Sequence, residues 1–284
     1  MELTVAPVGR FDASDSAAST AALIAYCQEL NVQTIPVPLP STGHGTFDFQ
    51  TASEVVRRLA AEGIRPAIAH GPGDPPIALE RLDEDTGTQR AVNERAAENI
   101  RRLGEAGVPA LVMFCRLPRG ADPAARQKSW DIVVAAFEVM TAAAQGAGVF
   151  LAAHGLHDTA LHNYEEERAL LDAIPNPHLG ICYDPIHSSI GGHTVRENGD
   201  YLSPIALLRE RITYVHIRDM AMSEELGTPI ELPIGEGMIN ELAVLQGLHT
   251  AGYQGIVQIE HMPSELVYAR SLGYLRGLVH AGVK

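Results

Sequence analysis

Short runs of apolar and β-branched residues recur along the chain. Each is followed by a longer segment whose apolar positions fall at helical spacing. Eight runs read as strands: Leu3–Val8, Val32–Pro38, Ile64–His70, Val108–Phe114, Gly148–His154, Leu179–Asp184, Ile212–Arg218 and Gly255–Glu260. Their starts lie 29, 32, 44, 40, 31, 33 and 43 residues apart, the length of a strand plus a crossover helix. The runs are nearly continuous in apolar character, as expected of parallel strands covered on both faces. Between them, Arg90 to Glu105 places Val92, Ala96, Ile100 and Leu103 on one stripe, and Ser129 to Gln145 and Tyr164 to Ile174 behave likewise. The last opens with Glu165, Glu166 and Glu167, acids suited to a helix N-terminus. Gly63, Gly107, Gly148 and Gly252 stand where a helix should stop before a strand. Eight such units predict an α/β protein, a single (β/α)8 (TIM) barrel over residues 1–284 with its active site at the C-terminal strand ends. A doubly wound open sheet is the competing arrangement.

Composition narrows the class. With 46% apolar residues in 284, the chain can bury a sizeable core, which excludes disorder. Length alone suggests roughly two domains, yet no Pro/Ser/Gly linker divides the chain. The longest irregular stretches, 39–50, 71–90, 185–204 and 219–240, all follow a strand candidate. Lys and Arg number 21 against 35 Asp and Glu, a net charge of −14. Such a surface repels phosphate backbones and anionic lipid, so neither nucleic acid nor membrane is expected as a partner. No apolar run approaches the ~20 residues of a bilayer span, and no charged-then-apolar leader opens the chain. Cys27, Cys115 and Cys182 are dispersed and odd in number, which fits a reducing cytosol rather than a disulfide framework or zinc knuckle. The expectation is a cytoplasmic protein, with a homo-oligomer compatible.

The chemistry gathers at one end of the predicted strands. Of 12 histidines, His44, His70, His154, His157, His162, His187, His193, His216 and His261 lie at or just after a strand end, and His178, His249 and His280 do not. Core packing does not favour that end. The fifth candidate strand ends Leu151-Ala152-Ala153-His154-Gly155. The sixth delivers Asp184 and His187, the seventh His216, Arg218 and Asp219, and the eighth Glu260 and His261. His154, Asp184, His216 and Glu260 are expected to surround one point. Two imidazoles and two carboxylates suit Mn, Zn, Co, Ni or Fe better than Mg, and such an ion polarises a carbonyl or hydroxyl pair. Plainer readings stand beside these: Asp184 as a helix cap before Pro185, His154 as a rim histidine, Arg218 as the partner of Asp219 or Asp184. Glu260 follows Ile-Val-Gln-Ile and is expected to be buried, where an unpaired carboxylate is costly. Glu260 and His187 are the candidates for moving a proton. Arg218, His187, His70 and Arg116 are candidates for holding substrate. Arg116 and Arg119 follow the fourth strand, where an anionic group would fit, although a solvated loop is the commoner meaning. Trp130 and Tyr201 read as packing. Gly71-Pro72-Gly73 and Gly191-Gly192 mark turns without the context of a phosphate cradle.

Several of these motifs carry a resemblance. Asp184-Pro185-Ile186-His187, the run Arg211 to Asp219 with His216-Ile217-Arg218-Asp219 at its end, the turn Leu232-Pro233-Ile234-Gly235-Glu236-Gly237, and Glu260 resemble the strand-end motifs of the xylose isomerase-like superfamily of sugar isomerases and epimerases. The likeness spans about residues 90–275, while residues 1–89 keep only the spacing. It implies a metal-dependent isomerase or epimerase that acts on a small sugar, keto-sugar or inosose by proton transfer through an enediolate. The alternative it leaves open is a metal-dependent lyase or dehydratase on a polyhydroxy substrate. One departure matters. Where family members usually read Leu-x-Leu-Glu-Asn-His, this chain has His154-Gly155 after Ala153. The usual glutamate is a ligand and, in the ketose 3-epimerases, one of two bases, so its absence leaves one-base chemistry. Endonuclease IV shares the fold but needs further ligands. Here Phe114-Cys115-Arg116 lacks a histidine, Pro229-Ile230-Glu231 replaces an Asp-x-His, and the −14 charge opposes DNA. A degenerate, non-catalytic barrel has only His154 in its favour; Asp184, His216 and Glu260 oppose it.

Overall fold

The computed structural model describes residues 1–7, 16–39, 41–43, 46–70, 86–115, 117, 119–155, 159–186, 190–191, 194–195, 199–223, 225 and 228–283. Strands and helices alternate: β1 (Glu2–Val5), α1 (Ser16–Leu30), β2 (Thr34–Val37), α2 (Phe49–Ala61), β3 (Arg65–His70), α3 (Thr86–Glu105), β4 (Ala110–Phe114) and α4 (Pro123–Ala147). They continue with β5 (Phe150–His154), α5 (Tyr164–Ala173), β6 (Leu179–Tyr183), α6 (Leu202–Leu208), β7 (Ile212–Ile217), α7 (Glu241–Thr250), β8 (Ile256–Ile259) and α8 (Glu265–Gly282). The eight strands belong to one sheet, and eight parallel strands each followed by a helix make the (β/α)8 barrel fold. By its internal contacts the chain divides into two compact units, residues 9–181 and residues 1–8 with 182–284.

In the unit of residues 9–181, β2 to β5 pair in chain order. Thr34 lies opposite Arg65, Ala69 opposite Leu111, Leu111 opposite Leu151, and Leu151 opposite Leu179 at the start of β6. Ile35, Ile68, Val112 and Leu151 are fully buried. On α3, Ala96, Ile100 and Leu103 of the expected stripe are buried, while Val92 is only partly so. The helix α4 starts six residues before the position its apolar pattern suggests. Asp122 caps it by accepting from Ala125 N at 2.9 Å, with Pro123 at the first helical position, where a missing N–H costs nothing. It ends at Gly148, whose φ of 69° is left-handed, and Gly63, Gly107 and Gly252 share that sign.

In the other unit, β8 pairs in parallel with β1 and β7, with His216 beside Gln258 and Ile217 beside Ile259. Tyr268, Leu272 and Leu275 of α8 are buried. The stretch 219–240 reads as irregular in sequence, yet it contains an antiparallel hairpin of Asp219–Met222 with Pro229–Leu232. Shorter hairpins also occur within 39–50 and 185–204. Strands of two to four residues are too short to show a period. Beyond the hairpin, the turn at 235–239 hangs on one buried side chain. Asp219 Oδ1 accepts from Met220 N at 2.8 Å and Ile239 N at 3.0 Å, and Oδ2 from Gly235 N at 3.0 Å and Gly237 N at 2.7 Å. A Cβ at Gly237 would collide with Asp219 Oδ1 and Met220 O, so only glycine permits this approach. Glu241 Oε1 also accepts from Gly235 N at 3.1 Å. Burial, then the neighbouring Asp219 charge, pushes the Glu241 carboxyl up to about 7. No helix among the described residues is long and apolar enough to cross a membrane.

Gly148→Ala places a Cβ in a left-handed residue with nothing within 4 Å, so the expected loss is backbone strain alone, about 1 kcal/mol in urea unfolding. An unchanged midpoint would mean the cap conformation is not held in solution. Glu241 gives a pH signature. Its folded value, about 7, exceeds its ordinary 4.5, so protonated Glu241 favours the fold and that advantage is lost as pH rises from about 4.5 to 7. Wild type should lose roughly 3 kcal/mol more than Glu241→Gln across this window. Parallel pH profiles for the two proteins would contradict it.

Candidate metal and proton-transfer site

Within the unit of residues 1–8 and 182–284, the ends of β6, β7 and β8 deliver Asp184, His216, Arg218 and Glu260. Each strand is buried almost throughout, so the polar groups that follow are buried too. Asp184, His216 and Glu260 are 1%, 0% and 7% exposed. His216 Nδ1 lies 3.1 Å from Glu260 Oε2. Arg218 closes the group: its Nε donates to Asp184 Oδ2 at 3.1 Å, its Nη2 lies 3.0 Å from the same oxygen, and its Nη1 donates to Glu231 Oε1 at 2.8 Å. The other Asp184 oxygen accepts from Ile186 N at 3.0 Å, so Asp184 is partly a local cap as well.

Glu260 is oriented by a chain of donors. Tyr214, fully buried, donates to Gln258 Oε1 at 2.7 Å, and Gln258 Nε2 donates to Glu260 Oε1 at 2.8 Å. The register of β7 on β8 sets this up, because His216 and Gln258 are paired positions. Burial first, then the Asp184 charge, pushes Glu260 up to about 8, with Arg218 pulling the other way and Glu231 adding to the rise. Burial works against the Arg218 charge, but Asp184, Glu260 and Glu231 outweigh it and raise its pKa. Three carboxylates therefore surround one guanidinium, and a buried Asp–Glu pair in this position is short of positive charge. A mixed nitrogen and oxygen donor set with that deficit suits a divalent ion.

The histidine beside Glu260 is unusual. His261 has φ of 56°, a strained value for a side chain of this size. Its Nδ1 contacts Glu231 Oε1 at 2.6 Å and its Nε2 lies 3.9 Å from Glu260 Oε2.

His154 belongs to the unit of residues 9–181. It ends β5, is 2% exposed, and its Nδ1 is 2.7 Å from Gly155 O. Its ring centroid lies 4.9 Å from that of Phe114. A carbonyl partner makes Nδ1 the protonated nitrogen. The following amide, Gly155 N, donates to Glu167 Oε1 at 3.0 Å. A Cβ at 155 would collide with Leu161 O. Glu167 was expected among the acids at a helix start, yet it is 2% exposed and turned inward. Asn163 and Glu166 supply the cap, Asn163 Oδ1 accepting from Glu166 N and Glu166 Oε2 from His162 N.

Other expected residues fall differently. His187 and Arg116 lie outside the described residues, as do His44, His157 and His193. His70 ends β3, but its side chain is outside them too. His162 is partly buried and His261 half exposed. Sequence reasoning missed Gln258, Glu231 and Glu167 as parts of these networks. Only Gln258 had a local signal, a lone amide within the apolar strand Ile256–Ile259.

Comparison with known proteins agrees with the fold. The family model described as xylose isomerase-like TIM barrel matches residues 24–278. Among curated proteins no sequence match is found. Solved structures match over nearly the whole chain at low identity. D-allulose 3-epimerase from Methylomonas sp., in complex with D-allulose, has TM-score 0.73 at 17% identity and covers 98% of this chain and 96% of its own. Mannonate dehydratase from Streptococcus suis serotype2 has TM-score 0.74 at 16%, covering 91% and 89%. A xylose isomerase-like TIM barrel protein from Mycobacterium smegmatis, in complex with magnesium, has TM-score 0.68 at 15%, covering 95% and 90%. At these identities the structures show a shared fold, and with the family model spanning most of the chain, this protein belongs to the xylose isomerase-like TIM barrel family.

Proposed function

We propose that the protein is a divalent-metal-dependent enzyme of isomerase or epimerase type. It would act in the cytoplasm, moving a proton on a carbon beside the carbonyl of a small sugar, keto-sugar or inosose. The observation that carries this reading is the buried convergence of Asp184, His216 and Glu260, with Arg218 against Asp184. The similar proteins support it, since one is described as a sugar 3-epimerase holding D-allulose and another as a magnesium complex.

Asp184, His216 and Glu260 would hold the ion, and His154 is the fourth donor on the pattern of strand ends. When bound, the ion supplies Lewis acidity toward negative charge on substrate oxygens. Glu260 is the proton-transfer group, or the ligand on which the base depends. Gln258 and Tyr214 keep one of its oxygens engaged and so fix the direction of the other. Arg218 has five N–H donors and spends three of them on Asp184 and Glu231. The remaining two can address a substrate oxygen. His187, His70 and Arg116 are the further contacts proposed for the polyhydroxy substrate.

A lyase or dehydratase reading stands beside it: His154 in place of the glutamate of the family motif leaves one base, which serves an isomerase and a lyase alike, and one of the similar structures is described as a mannonate dehydratase. Proton exchange in D2O without loss of water supports the isomerase, and loss of water supports the lyase.

Glu260→Gln keeps the volume and removes the charge, so turnover is expected to fall at least ~100-fold in a correctly folded variant. Near-normal turnover would remove Glu260 from the mechanism. Exhaustive chelation is expected to abolish activity, with Mn, Zn, Co, Ni or Fe restoring more of it than Mg. Full activity without metal would overturn the proposal. His154→Glu should move the preference toward Mn and Mg, measured by metal titration calorimetry, and unchanged selectivity would exclude His154 as a ligand.

A further inference from the structure

A separate cavity of about 430 Å³ lies within the unit of residues 9–181, inside the ~300–1,000 Å³ range usual for small-molecule sites. One wall is a single face of α4: Pro123, Arg126, Gln127 and Trp130 stand at spacings of i, i+3, i+4 and i+7. Facing them are Arg119, on the segment after β4, and Glu166 of α5. The core-facing stripe of the same helix is Ser129, Val133, Ala136, Phe137 and Met140. The cavity therefore sits against a neighbouring face that keeps cationic, amide and aromatic groups together.

The polar groups in it are incompletely matched. Arg119 Nη2 is 2.9 Å from Glu166 Oε1, but Arg119 Nε is shut off from solvent with no hydrogen-bond acceptor among the described residues. A shielded guanidinium N–H without an acceptor is costly, so a turn of the Arg119 side chain that presents this N–H to an oxygen of a guest is favoured. Glu166 is already shared, since its other oxygen accepts from His162 N at 2.6 Å. The Arg126 guanidinium makes one long bond among the described residues, 3.4 Å to Ala121 O. The lining itself holds two guanidinium groups and one carboxylate, with Asp131 behind it bonded to Gln127 at 2.8 Å, in a chain whose net charge is −14. Trp130 adds a broad flat surface of the kind that packs against the C–H face of a sugar ring.

We propose that this cavity binds a polyhydroxylated ring carrying one anionic group, a sugar carboxylate or a sugar phosphate. The anion lies between Arg119 and Arg126 and the ring lies on Trp130. The site uses none of Asp184, His216 and Glu260 and stands independently of the catalytic reading.

Trp130 is the only tryptophan in the chain, so its emission reports on this cavity alone. The full-length protein is titrated with glucuronate, glucose 6-phosphate, glucose and inorganic phosphate, with calorimetry run in parallel. A saturable change is expected with glucuronate, glucose 6-phosphate or both, at least ~10-fold tighter than with glucose. The stronger of the two identifies the anion. Arg126→Ala, with unchanged circular dichroism, should weaken that binding at least ~10-fold, while Glu260→Gln should leave it unaltered. Absence of saturation by either method up to ~10 mM would overturn the proposal. So would equal binding of glucose, binding of phosphate as tight as that of the sugar anions, or an Arg126→Ala variant that binds as wild type does.

Discussion

Asp184 and Glu260 are two carboxylates buried in the same neighbourhood, and among the described residues one guanidinium, Arg218, pairs with Asp184 and with a third carboxylate, Glu231. In a medium of low polarity, like charges cannot both stay ionised without compensation. Much of the surrounding geometry answers that constraint. Arg218 is drawn onto Asp184 and Glu231. Gln258 turns its amide toward Glu260 because Tyr214 has claimed the amide oxygen. His216 is placed against the same carboxylate by the pairing of β7 with β8. Replacing any of these groups by an apolar one would leave a buried charge short of a partner, and that asymmetry holds the arrangement together.

The strands were legible because each is an apolar run long enough to stand out, and most helices because their stripes recur over three or more turns. Gly148 announced the end of α4 in advance. The start of α4 was less legible, since Asp122-Pro123 lies outside its apolar stripe. The burial of Glu260 after Ile-Val-Gln-Ile followed from position alone. Contacts between residues distant in sequence were not legible. Nothing local marks Glu231 as the partner of Arg218 and His261. Glu167 sits in an acidic run that reads as helix capping, while its inward turn depends on Gly155, twelve residues earlier. Of the two partners read for Arg218, Asp219 and Asp184, the geometry selects Asp184 and adds Glu231. Trp130 read as packing because an isolated aromatic carries no directional signal; its place on a polar face of α4 appears only with the neighbouring helix.

Two motifs that look independent in sequence form one structural unit. The aspartate that ends His216-Ile217-Arg218-Asp219 is the acceptor for the turn that begins at Gly235. The separation of about fifteen residues is taken up by the hairpin between them. The hairpin also carries Glu231 to Arg218, so the position of the guanidinium depends on the fold of this excursion as well as on β7.

Asp219 grips the turn through its main-chain amides, and this sets which changes the turn can absorb over evolutionary time. Proline at 235, 237 or 239 would delete a bond that no replacement side chain could restore. Glu236 and Met238, whose side chains take no part in that grip, can vary in size and charge without loosening it. An anchor of this type keeps the backbone path constant while its outward residues drift, which lets a family retain a strand-end architecture and diversify the surface presented beside it.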